Sequence, residues 1–142
     1  MKNRYRLLLK IHGIILLCLG SLMTLQTVLG SFKGVGVLSF LHGDALKSVG
    51  LFEAYLLAGF SGAVLIILSG KRYEKEWHLL AATVHLILFT TNLLFWKAYA
   101  LAGIVTIGYV ATSAHAVFIS VESVCYFVLK SIGDRKTAMN IQ

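Results

Sequence analysis

Four stretches of this chain, at about residues 7–29, 49–69, 77–96 and 101–129, stay apolar for roughly the 20 residues that a helix needs to cross a bilayer's hydrocarbon. In lipid every backbone polar group must be bonded internally, and no strand-type alternation is present to build a closed barrel, so each stretch is expected to be a helix. The four use most of the 142 residues, which leaves no room for a separate soluble domain. Composition agrees: 58% of the residues are hydrophobic and 13% charged, with a mean hydropathy of +0.81. A soluble domain of this size could not hide so much apolar surface. Water-soluble enzymes, disordered chains and disulfide scaffolds are excluded at this point.

The charges orient the spans. Lys2, Arg4, Arg6 and Lys10 open the chain, Lys71, Arg72 and Lys75 fill the second connection, and Lys130, Arg135 and Lys136 follow the fourth span. Only Lys33, Lys47 and Lys97 fall on the other side. By the positive-inside rule both termini and the second connection are cytoplasmic. The expected fold is therefore an all-α, integral membrane four-helix bundle, forming one domain in the cytoplasmic (inner) membrane. The net charge of +7 reads as a topology signal and a contact for phospholipid headgroups. The split clusters do not make the basic face, interleaved with aromatics, that nucleic-acid binding needs. The N-terminus has the basic start and small residues of a signal peptide, but its apolar run is too long, and it is read as the first span.

Trp77 and Trp96 are nineteen residues apart, about 28 Å along a helix. That separation sets one ring at each interface and the midplane near Leu86. The 31–48 connection is too short and too broken by glycine to span. It is expected to lie on the extracytoplasmic surface of the bilayer or to fold over the bundle. Small residues recur at four-residue spacing in the second span (Ala54, Ala58, Gly62) and the fourth (Gly108, Thr112, Ala116, Ser120). Such grooves suit close helix contact, within the bundle or with another subunit. The sequence contains no proline, which argues against the broken helices of an alternating-access transporter. Cys18 and Cys125 lie within expected helices and are assigned neither a disulfide nor a metal.

Ionisable groups at membrane depth are costly, so each is a candidate site. His78, His85 and Asn92 fall seven apart in the third span, and His115 and Glu122 seven apart in the fourth, each set along one helix face. His85 and His115 lie at the same estimated depth on antiparallel helices. They could pack as a satisfied polar pair, ligate haem b from both sides, or hold a quinone headgroup. His12 and Glu122 share a depth on the cytoplasmic side, where a closed bundle could bring them together as an ion pair or hydrogen-bonded pair; otherwise Glu122 is expected to face a partner chain or a bound lipid headgroup. Glu53 enters the second span about one turn below the extracytoplasmic surface, near the depth of Asn92 and Gln26. His42 and Asp44 in the first connection lack the third ligand that a metal site requires. No phosphate loop, HExxH or GxSxG motif is present.

The basic-led first span with Gly13 and Gly20, the Gly50-x-x-Glu53 opening of the second, its Gly59 and Gly62, and the Lys71-Arg72 turn together resemble the DoxX-like superfamily of four-helix bacterial membrane proteins. The resemblance covers about the first half of the chain. It implies work as a membrane subunit linked to respiratory or sulfur-linked quinone chemistry, with Glu53 matching an acid at the start of a helix. The leading expectation is a non-catalytic integral subunit of a larger membrane complex. It would contact other integral membrane subunits and phospholipids, with a homo-oligomer as a further arrangement. One alternative is a redox module that binds haem b or quinone through His85 and His115. Another is a small transporter or proton-conducting protein centred on Glu53 or Glu122.

Overall fold

The computed structural model describes residues 2–71 and 74–139. Arg72 of the basic connection lies outside them. The described residues form helices and turns, with no strand among them. Their order is α1 (Lys2–Lys33), a short 3₁₀ turn (Ser39–Leu41), α2 (Ala45–Lys71), α3 (Glu76–Leu94), α4 (Trp96–Leu101) and α5 (Val105–Met139). Of these α1, α2, α3 and α5 are long and apolar enough to cross a membrane, which suggests a multi-pass membrane protein. The chain divides into two compact units at residues 1–73 and 74–142.

The helices outrun the apolar stretches from which they were expected, because polar and basic residues at a span's ends continue its hydrogen-bond ladder into the interface. Two boundaries moved the other way. The third span ends at Leu94 rather than Trp96, since Phe95 (φ −103°, ψ 24°) leaves helical geometry before α4 resumes. The last long helix then starts at Val105, not at residue 101. Between them Gly103 takes φ +70°, a left-handed conformation that ends α4 and that only glycine adopts freely.

In the first unit α1 and α2 form a hairpin whose seam is made of backbone. A Cβ placed on Gly20 would lie 2.5 Å from the nitrogen of Gly59, and one on Gly62 would lie 2.5 Å from the carbonyl oxygen of Gly13. Two helices approach this closely only where both surfaces lack side chains. In lipid, where apolar side chains gain nothing by leaving the solvent, such contact is a main source of attraction. The expected groove on α2 is thus used at Gly62, with Gly59 beside it, whereas Ala54 is exposed. The connection between the helices folds back over the hairpin rather than standing away from it. Leu38 and Leu41 are buried, and the Leu38 carbonyl sits where a side chain on Gly30 would be. Asp44 caps α2 by accepting the Lys47 N–H at 3.0 Å and pairs with the Lys47 ammonium at 2.6 Å.

The second unit pairs α3 with α5, antiparallel, with α4 at the turn between them. The distribution of polarity over the chain is the reverse of a soluble protein's. Leu57, Phe60, Ile87, Val110, Val117 and Phe127 are each about 60% exposed or more, while His12, Thr27, Ser69, His78, His85 and Glu122 are buried.

Two measurements test this fold. Gly20→Ala should destabilise the protein by about 1–3 kcal/mol through overpacking. Gly59→Ala, whose added methyl meets nothing nearer than 3.8 Å, should be neutral or stabilising. Thermal unfolding in detergent separates the two, and equal effects would refute the backbone seam. The Lys47 hydrogen bond and charge hold the Asp44 carboxyl below the ordinary carboxylate range. The cap's contribution is therefore present at neutral pH and is lost as pH falls through that depressed value. An acid titration of unfolding should lose this component in Asp44→Asn.

Candidate functional site

His78, His85, His115 and Glu122, all within the long apolar helices of the second unit, line one seam between α3 and α5. Antiparallel helices that meet at one pair of residues meet again a heptad away on each, because seven residues is nearly two full turns. His78 and His85 on α3 face Glu122 and His115 on α5 in this way, in rungs about 10 Å apart, and Asn92 reaches Thr112, three residues from His115 on α5.

The first rung is the most enclosed. Nδ1 of His78 and Oε2 of Glu122 form a hydrogen bond, and both side chains are fully buried. A carboxylate in an apolar setting is strongly disfavoured unless it is paired and hydrogen-bonded, and the imidazole supplies that partner from the facing helix. At the second rung Nδ1 of His85 and Nδ1 of His115 lie 2.8 Å apart, so one ring donates and the other accepts. His85 also stacks on Phe118, with ring centroids 4.7 Å apart and 13° between the planes. Rings in hydrogen-bonding contact leave no space for an iron between them, so haem ligation here would require the pair to part.

The third rung continues onto α4. Asn92 Nδ2 donates to Thr112 Oγ1 at 3.2 Å, and the Tyr99 hydroxyl donates to Asn92 Oδ1 at 2.8 Å. Tyr99 reaches this point because Gly108 has no side chain. A Cβ on Gly108 would lie 2.8 Å from the tyrosine ring. The small-residue position at Gly108, expected to serve a helix–helix contact, instead seats a ring from α4. Burial raises the Tyr99 phenol above its ordinary pKa, which keeps it a donor at neutral pH.

The structure thus brings together His85 with His115, and Asn92 with Thr112 and Tyr99. Glu122 meets His78 of its own hairpin. His12 is buried on α1 and Glu53 is exposed on α2. In the first connection, the expected pair of weak ligands is engaged locally. His42 Nδ1 lies 3.2 Å from the Ser31 carbonyl, and Asp44 serves as the α2 cap. Among the described residues no group of three or more His, Cys, Asp or Glu side chains is placed to hold a metal ion. The signal for the His78–Glu122 rung was present in the numbering. Once His85 faces His115, the residue seven before the one must face the residue seven after the other. Tyr99 had no such signal, because its position depends on the break at Phe95.

If the rungs hold α3 to α5, His78→Ala and Glu122→Ala should each cost about 3 kcal/mol by stranding a buried polar partner. Their double-mutant cycle should show a coupling of about 1 kcal/mol or more. Strict additivity in denaturant or thermal unfolding would show that the two side chains do not act together. No protein-family model matches the chain, and no curated protein or solved structure matches it.

Proposed function

We propose that this chain is a non-catalytic integral subunit of a larger complex in a prokaryotic cytoplasmic membrane, with both termini on the cytoplasmic side. The observation that supports this reading most is the ladder between α3 and α5. Its His78–Glu122 and His85–His115 contacts join the helix pair, as groups do when they set the register of two helices. The faces turned outward are broad and apolar, suited to lipid and to neighbouring spans. The likeness of the first half to DoxX-like proteins directs the reading towards respiratory or other redox assemblies. Extraction in a mild detergent tests it. The protein should co-purify with other integral membrane subunits, and recovery as a stable, solitary monomer would overturn the proposal.

A second reading is favoured by one observation, the enclosed His78–Glu122 pair. A carboxyl and an imidazole in contact within a span can exchange a proton, and such pairs occur along proton paths. Under this reading Glu122 is the exchanging acid. Proton flux into liposomes carrying the purified protein should fall in Glu122→Gln, and flux equal to that of the wild type would sink the idea.

A further inference from the structure

At the end of the first hairpin where α1 begins and α2 finishes, the two helices leave a crevice of about 420 Å³. Asn3, Arg6, Leu7, Lys10, Ile66 and Ser69 line it. Arg6 is held in place from within the fold. Its Nε donates to the Ser69 carbonyl and its Nη2 to the Gly70 carbonyl, both at 2.8 Å. These carbonyls belong to the last turn of α2, where the helix has no donor left to offer, so the guanidinium also offsets the negative end of that helix dipole. Two bonds from one planar fork fix the orientation of a cation that carries three further N–H groups. Lys10 lies one turn along the same face of α1. No lining residue is acidic, and Leu7 and Ile66 supply an apolar wall.

An oriented guanidinium, an ammonium and an amide beside an apolar wall match an ion that has a hydrocarbon attached. We propose that this crevice is a binding site for an anionic phospholipid. The phosphodiester oxygens accept from Arg6, Lys10 and Asn3, and the glycerol and upper acyl chain lie along Leu7 and Ile66. The site rests on the reading of α1 and α2 as membrane spans. Their basic ends then lie at the leaflet whose anionic lipids are drawn to Lys and Arg. A free phosphate shares the headgroup chemistry but has no use for the apolar wall.

The test titrates the full-length protein in a neutral detergent with phosphatidylglycerol, phosphatidylcholine or inorganic phosphate, following the unfolding temperature. Phosphatidylglycerol should raise that temperature saturably, and the other two should not. Lys10→Gln should weaken the apparent affinity for phosphatidylglycerol about fivefold, the effect of one interfacial cation. It should leave the unfolding temperature in detergent alone unchanged, because Arg6, not Lys10, ties α1 to α2. Equal responses to the two lipids, or equal affinities in wild type and Lys10→Gln, would overturn the proposal. A response to inorganic phosphate as large as that to phosphatidylglycerol would show a site for free anions and refute the lipid assignment. Failure of the underlying membrane reading is distinguishable, since the protein would then be released from membranes by an alkaline carbonate wash.

Discussion

Helices in lipid cannot gain by hiding leucine from a solvent that is itself hydrocarbon, and four helices as long and apolar as these are of the kind that constraint governs. What remains is close backbone contact, polar pairing and satisfied helix ends. Each unit relies on a different one. The α1–α2 hairpin is held by glycine against glycine, where Gly20 meets Gly59 and Gly13 meets Gly62. The α3–α5 pair is held by polar rungs, from His78 and Glu122 at one end to Asn92, Thr112 and Tyr99 at the other. The two seams differ in what they allow. The backbone seam admits no added atom at Gly13, Gly20 or Gly62, though Gly59 has room for one, whereas each polar rung depends on both of its partners.

The polar seam also explains how ionisable residues persist in so apolar a sequence. A lone glutamate within a span would be a heavy liability, yet Glu122 has an imidazole partner on the facing helix. The same imidazole–carboxylate contact that secures the helices is capable of proton exchange. Packing and chemistry draw here on the same atoms, which is why a structural and a proton-handling reading arise from one rung. At the basic end of the first hairpin the same economy recurs. Arg6 closes the last turn of α2 and in doing so becomes an oriented cation beside an apolar wall.

Much of the fold was legible in advance because the signals are long-range averages. An apolar run of about 20 residues survives any local irregularity, so the four long helices stand where hydropathy put them. The facing of His85 and His115 was legible too, since equal depth on antiparallel helices is a matter of counting. The bend at Phe95 was not, because no proline or glycine marks it and an apolar run gives no sign of a change in backbone angle. The His78–Glu122 contact was not named in advance for a related reason. Depth matching offers several candidates, and only the rotation of each helix about its axis selects among them.

By itself, then, the sequence determined the number of long apolar helices, their approximate places and the polar positions within them. Each of these follows from composition along one dimension. The tertiary structure alone decided which polar groups meet, that Gly108 seats the Tyr99 ring rather than another helix, and that Arg6 turns inward to the end of α2. These depend on helix rotation and on turn geometry at single residues such as Gly103, where a change of one backbone angle redirects everything that follows. Hydropathy is blind to rotation, and rotation is what turns a list of histidines and glutamates into a site.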